Sequence, residues 1–487
     1  LGNEAFCAGF ETEESLESWV TQLREAVREV DPDRPVLLGV DPETLLRETG
    51  VDPRGAIYLT ECAWSHLTAP YRAYIAEGPI TSGPATYTDS FLLRAASRDL
   101  PVVVDGIGVH ALDFSAAEEA AYVRTALYSA LMNRASGAML RRWRDLEAEK
   151  REPYFRDPFE VLVGVLDVNG APKPVLAEVK RFAAVAARLD RRRYALAPER
   201  AAVVIPAERY EPLPSLAGLY DPRACLQAYI AAKEAQVPVT VAREGDALGG
   251  YHALYVPSPA KLTPAMWSDL GSFVQGGGSV VLSYGGGDVD PALREIFGVE
   301  FNGDSGPRPV FSCRIAQPGV LGDLRSFDAR MELPHYALLT ASGATVVATD
   351  ATGSPLLTVN QYGQGKAVFI ATPVERAIAQ NDPWATPTPV RHLLRTVYGT
   401  VASAAGAGAM LECDSPEVEI AHFLGEDDDI LIVLSHNADK MTVTLTTPRI
   451  VASVQDVRGG APAEVGGRSF GVPLGPNGVA ALRVKFG

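Results

Sequence analysis

The sequence predicts an α/β chain in three parts. Three observations predict it. Short strands rich in β-branched residues alternate with amphipathic helices over residues 1–195, a second strand–helix alternation opens at Ala201, and only strand signals follow Ala409. Alternation of this kind implies parallel strands joined by right-handed crossovers. At 487 residues the chain is also too long for one core.

Glu14 to Val30 opens the first part as a helix, with Leu16, Trp19, Val20, Leu23, Ala26, Val27 and Val30 at helical spacing. Strands follow at Val36–Val40, Ala56–Leu59 and Val102–Val104. A long helix is predicted over Ala116–Met132, a last strand over Ala138–Leu140 leading to Trp143, and a closing helix over Val175–Leu189. The stretch Pro101-Val102-Val103-Val104-Asp105-Gly106-Ile107-Gly108 reads as a strand buried on both faces. It ends in an acid and two glycines, at the carboxyl end where βα barrels carry their chemistry. With Leu1-Gly2-Asn3-Glu4 as a strand end, five strands are visible, whereas a closed barrel needs eight. The first three are expected from a longer chain or a companion fragment.

Arg191 to Pro198 reads as a linker. The second part, residues 199–403, carries strands at Ala202–Ile205, Pro238–Val241, Ala253–Val256 and Ser279–Ser283, with helices at Pro222–Ala235 and Pro264–Gln275. An irregular Gly- and Pro-rich middle over 300–345 precedes strands Thr345–Ala348, Leu356–Asn360 and Ala367–Ile370 and a helix from Thr388 to Val397. Together these make a doubly wound domain with a β insertion. The third part, residues 409–487, reads as a small antiparallel β-sandwich.

A formal charge of -16, with no Lys/Arg-rich run, excludes nucleic acid and anionic membrane as partners. No apolar run reaches the roughly 20 residues that span a bilayer. Five scattered cysteines without paired spacing (Cys7, Cys62, Cys225, Cys313, Cys413) argue against a disulfide framework or zinc site and fit a reducing, cytoplasmic setting.

In the order of these segments, the first part resembles the second half of the clan A retaining β-glycosidase barrels, families five and forty-two of the glycoside hydrolases. Asn3-Glu4 is similar to the end of barrel strand four, and Asp31-Pro32-Asp33-Arg34-Pro35-Val36 to the approach to strand five. Pro101–Gly108 looks like strand seven and Gly137–Trp143 like strand eight with its Trp. Pro158-Phe159-Glu160, Gly164, Asp167, Gly170 and Pro172-Lys173-Pro174 are similar to the closing segment. The layout of (β/α)8 barrel, flavodoxin- or amidotransferase-like domain and small β domain resembles the family forty-two β-galactosidases, whose middle domain mediates trimers.

The resemblance implies a hydrolase of β-linked oligosaccharides, with β-mannoside, β-glucoside and β-galactoside all open. It also implies a homo-oligomer, dimer or trimer, built by the middle domain. No cofactor or metal is implied, because proton transfer and covalent catalysis need only carboxylates. Such enzymes hold two carboxyl groups roughly 5–5.5 Å apart, one as acid/base and one as nucleophile. Glu4 is implied as acid/base, with Asn3 hydrogen-bonding the sugar 2-hydroxyl; a helix-capping pair is the plainer reading of Asn3-Glu4. At strand seven the family pattern is Glu-x-Gly. With Gly108 on its glycine, the nucleophile's place falls on Gly106, which has no side chain.

Three readings stay open. Gly106 marks a lost nucleophile, natural or engineered; or Asp105 has taken over, against the alternation of strand side chains; or the protein is a non-catalytic carbohydrate-binding relative or scaffold. Trp143 is a candidate sugar platform, with a core Trp as its alternative. His66 and Tyr71 follow strand six, where these families orient the nucleophile. Trp64, His110 and Glu61 also stand near strand ends.

Other motifs carry less. Gly276-Gly277-Gly278, Gly285-Gly286-Gly287 and Gly363-Gln364-Gly365-Lys366 lack the residues of a phosphate cradle and read as turns. Cys225 falls in a helix, and no nucleophile elbow is visible at a strand end of the second part. Glu426-Asp427-Asp428-Asp429 lacks the spacing of a calcium loop and reads as an acidic turn.

Overall fold

The computed structural model describes residues 13–33, 36, 38–40, 57–60, 79–97, 101–109, 114–147, 152, 161–206, 223–286, 289–381 and 386–487. The chain divides into two compact units, one made of Leu1–Ala197 with Cys413–Gly487 and the other of Pro198–Glu412.

In the first unit, α1 (Glu13–Val30), β1 (Leu38–Val40), β2 (Ile57–Thr60), α2 (Gly83–Ser97), β3 (Val102–Ile107), α3 (Ala116–Met132) and β4 (Gly137–Leu140) follow the strand–helix rhythm of the sequence. The four strands pair in parallel and in chain order, β1-β2-β3-β4. That sequential order is the one a βα barrel uses, and among the described residues the sheet does not close. A capping box starts α3: Ser115 Oγ accepts the Glu118 N–H while the Glu118 carboxylate accepts the Ser115 N–H. The strand expected to run into Trp143 is broken after β4. β5 (Arg142–Arg144) leaves that sheet and pairs in parallel with β6 (Gly164–Leu166). α4 (Pro174–Ala186) then packs along α3.

The second unit opens with β8 (Ala201–Ile205), after β7 (Ala195–Leu196) has ended the preceding segment. It continues through α5 (Arg223–Glu234), β9 (Val239–Arg243), β10 (Ala253–Val256), α6 (Pro264–Gln275), β11 (Ser279–Ser283) and α7 (Ala292–Phe297). Four strands then fill the stretch read as irregular: β12 (Val299–Asp304), β13 (Arg308–Ile315), β14 (Phe327–Leu333) and β15 (Ala337–Ala341). β16 (Thr345–Thr349), β17 (Pro355–Tyr362), β18 (Gly365–Ile370), α8 (Val374–Gln380) and α9 (Thr388–Ala404) complete the unit. Its nine-stranded sheet has a parallel half in the order β9-β8-β10-β11-β18, the doubly wound order of flavodoxin-type sheets. The other half, β18-β17-β16-β13-β14, is antiparallel.

The chain returns to the first unit through β19 (Glu412–Cys413), β20 (Val418–Leu424), β21 (Asp429–Ser435), β22 (Met441–Thr446), β23 (Val451–Asp456), β24 (Ala463–Glu464), β25 (Ser469–Leu474) and β26 (Val479–Phe486). These form antiparallel sheets, β24-β23-β26-β21-β20-β7 and β19-β22-β25. The stretch read as a linker therefore contributes a strand, β7, at the edge of the larger sheet.

The sequence reading separated 409–487 from 1–195, yet the two share a core. Tyr128, Leu131 and Met132 of α3, with Val185 and Leu189, pack against Phe423, Ile430, Ile432 and Leu434. Each fully buried aliphatic or aromatic side chain of this kind contributes roughly 1.5–3 kcal/mol. A polar seam runs beside them. Glu419 accepts from Ser129 Oγ at 3.2 Å and Asn133 Nδ2 at 2.9 Å, tying β20 to α3.

Candidate active site

The described part of the site is built on the end of β3. Val102 and Val104 are buried while Val103 and Asp105 are half-buried, so side chains alternate faces as far as Asp105. The alternation then breaks, because Gly106 and Ile107 are both buried. On the β2 side Asp105 stands in register with Thr60. On the β4 side Val104 pairs with Ala138 but Ile107 with Leu140, so β3 carries one extra residue there. This is a β-bulge, a device that re-aims side chains beside functional sites.

Gly106 takes φ 72°, the left-handed region where a side chain is strained. Counting back two residues from Gly108 crosses the extra residue of the bulge. The Asp105 backbone keeps its register with Thr60 on the β2 side, while on the β4 side the shift falls between Val104 and Ile107.

Trp143 sits at the centre of β5 with 68% of its surface exposed. Its strand is fixed from below by a buried acid–base–acid cluster that the sequence did not single out. Lys173 Nζ lies 2.9 Å from Glu119 Oε1 and 3.5 Å from Asp145 Oδ1. Asp145 Oδ1 also accepts the Gly164 N–H at 2.7 Å, locking the end of β5 onto β6. Burial pushes the Glu119 carboxyl up, against the downward pull of Lys173. The available signal was Lys173 between two prolines at the start of α4: Pro174 stands in its first turn, and Lys173 itself is the N-cap. Glu4, Asn3, Trp64, His66, Tyr71, His110 and Glu61 lie outside the described residues.

A parallel sheet in barrel order, an acid at a strand's carboxyl end and a doubly wound second unit are parts found together in barrel glycosidases. The chain resembles the clan A glycoside hydrolases of the family forty-two type. The family model described as a β-galactosidase trimerisation domain matches residues 207–382. β-Galactosidase BglY of Alicyclobacillus acidocaldarius is 26% identical over 219 residues, which is 41% of this chain and 29% of that protein.

Among solved structures, the β-galactosidase from Bacillus circulans sp. alkalophilus superposes with a TM-score of 0.69 at 16% identity, over 97% of this chain and 66% of that one. Exo-β-1,4-mannosidase Op5Man5 from Opitutaceae bacterium strain TAV5 superposes with a TM-score of 0.63 at 18% identity, over 83% of this chain and 72% of that one. Identities this low speak to fold alone. The chain spans less than a third of BglY and about two thirds of the B. circulans chain.

Proposed function

We propose that residues 1–195 belong to a retaining β-glycosidase barrel acting on β-linked oligosaccharides, with Glu4 as acid/base and Asp105 as nucleophile. The observation that carries this reading is the carboxylate of Asp105 at the carboxyl end of β3, in register with Thr60 and followed by Gly106 at a left-handed φ. In that role Asp105 attacks the anomeric carbon as Glu4 protonates the leaving oxygen, and water then releases the sugar with Glu4 as base. Asn3 holds the 2-hydroxyl, Trp143 offers a face to the sugar ring, and His66, Tyr71, Trp64 and His110 line the cleft. The names of the relatives favour β-galactoside first and β-mannoside second. The match over 207–382 favours a trimer built by the second unit.

The test is hydrolysis of aryl β-galactoside, β-mannoside and β-glucoside by the chain, by Asp105→Asn and by Gly106→Glu, each with and without azide. Activity that Asp105→Asn removes supports the reading. Activity that appears only with Gly106→Glu, or only with azide in the unaltered chain, assigns the nucleophile's position to 106 instead. Silence in every arm favours the second reading, a non-catalytic carbohydrate-binding relative, which the exposed Trp143 also suits.

A further inference from the structure

The second unit carries a pocket that the glycosidase reading does not use. It opens at the carboxyl ends of β10 and β11, the edge at which doubly wound sheets bind their ligands, and encloses about 260 Å3. Leu262, Leu282 and Phe369 make an apolar lining, and Trp267 adds a half-buried indole braced edge-on by Phe297. Lys261 and Asp290 also border the pocket.

One wall is held in a strained shape. Ser258, just past β10, takes φ 45°, the left-handed region that a non-glycine residue rarely adopts. It persists because a buried polar cluster fixes it. The Ser258 N–H donates to Ser283 Oγ at 2.8 Å, and both hydroxyls donate to Glu375 Oε2, Ser258 at 2.9 Å and Ser283 at 2.5 Å. Tyr398 OH donates to Glu375 Oε1 at 2.7 Å. The turn so formed brings the next residue's carbonyl, Pro259 O, against Gly285, where an added Cβ would lie 1.8 Å from it. Strain at a strand end, maintained by a dedicated buried cluster and shaping a cavity wall, is the pattern of a ligand site. The sequence showed no special turn here, because Ser258 carries neither Gly nor Asn to announce a left-handed residue.

We propose that this pocket binds a single neutral sugar ring, at a site separate from the barrel. The volume lies just under the roughly 300–1,000 Å3 of common ligand pockets, which suits one ring rather than a chain. An indole among apolar side chains suits the hydrophobic face of a pyranose. The rim carries both a basic and an acidic residue, Lys261 and Asp290, a mixed polar border beside the apolar lining that suits neutral hydroxyls. The inference does not depend on whether the barrel is active.

The experiment is ligand-observed saturation-transfer NMR on the full chain with D-galactose, D-glucose and D-mannose, and with benzoate and trimethylammonium as charged controls. Trp267→Ala and the pocket-filling Val289→Trp are compared with Asp105→Asn and Trp143→Ala. The expected result is sugar binding that weakens at least ten-fold in both pocket variants and persists in both barrel variants. Sugar binding unchanged by Trp267→Ala and Val289→Trp overturns the proposal, as does selective binding of either charged control. Thermal unfolding of each variant, read against the unaltered chain, separates a lost site from a lost fold. Loss of aryl-glycoside hydrolysis in the barrel variants reports on the glycosidase reading alone.

Discussion

Asp105 stands directly opposite Thr60 in the parallel register of β2 and β3, and on the β4 side it falls in the irregular span between Val104 and Ile107. Everything expected of the site follows from what comes next, a glycine in the left-handed region. The carboxylate stands near the end of a strand whose Val102 and Val104 are buried, and the left-handed Gly106 follows it at once.

Replacing Gly106 tests that geometry. Gly106→Glu places a side chain at φ 72°, and a left-handed L-residue costs about 1–2 kcal/mol. The variant is expected to unfold several degrees below the unaltered chain in a thermal scan. Asp105→Asn keeps the fold and is expected to lower aryl-glycoside turnover about a thousand-fold or more, the scale of removing a covalent nucleophile. Equal stability for Gly106→Glu would show that the bulge relaxes.

Trp143 is expected to separate binding from folding. With most of its surface exposed, Trp143→Ala should change stability by less than about 0.5 kcal/mol. A ring that supports sugar should raise KM for oligosaccharide several-fold. Steady-state kinetics with chemical denaturation measures both, and an unchanged KM would remove Trp143 from the cleft.

Lys173 is expected to be critical for the fold of the first unit. Its ammonium lies between Glu119, 2% exposed, and Asp145. Lys173→Met leaves two buried carboxyls without their cation, a change on the order of 3–5 kcal/mol. Adding Glu119→Gln should recover part of that loss. Urea midpoints of the single and double variants check it; additive losses would mean the pair is not coupled.

Glu375 gives a pH dependence of defined sign. Burial raises its carboxyl above the ordinary value, against the pull of the Ser283, Tyr398 and Ser258 hydroxyls. A group whose folded pKa exceeds its unfolded value favours the fold at low pH, and that contribution is lost as pH rises through the folded value. The denaturation midpoint of the unaltered chain should therefore fall relative to Glu375→Gln as pH rises from about 4 toward neutrality. Parallel curves for the two proteins would show that the proton is not held.

Most of this architecture was legible in the sequence, and its gaps have physical causes. Ala116–Met132, Pro264–Gln275, Ala253–Val256 and Ser279–Ser283 are read to the residue, because long amphipathic or continuous apolar runs are bounded by caps and turn residues. β14 was missed although Ala329, Met331 and Leu333 alternate with Asp328, Arg330 and Glu332. Its apolar face is small, and glycines and prolines crowd the surrounding stretch. β25 hides in the same way, its Phe470, Val472 and Leu474 interleaved with Gly471 and Pro473. At the site, Asp105 and Gly106 are both legible in the sequence, but the register shift beside them exists only in pairing with β4. The Lys173 and Ser258 clusters join residues far apart in the chain; Pro172-Lys173-Pro174 marks one member of the first, and spacing alone does not supply the partners.

The shared core of α3 and the last sheets has a consequence for how the chain is made. β26 lies between β21 and β23, so a strand made after Pro198–Glu412 sits inside the sheet that covers Tyr128, Leu131 and Met132. On the ribosome, the segment ending at Ala197 must wait with that apolar face uncovered while Pro198–Glu412, a compact unit in its own right, is completed. Closing so long a loop adds little to the equilibrium free energy, since the entropy grows only logarithmically with length. The burden falls on timing: the segment made before Pro198–Glu412 is covered only by strands made after it, and during that interval its apolar face is exposed to aggregation.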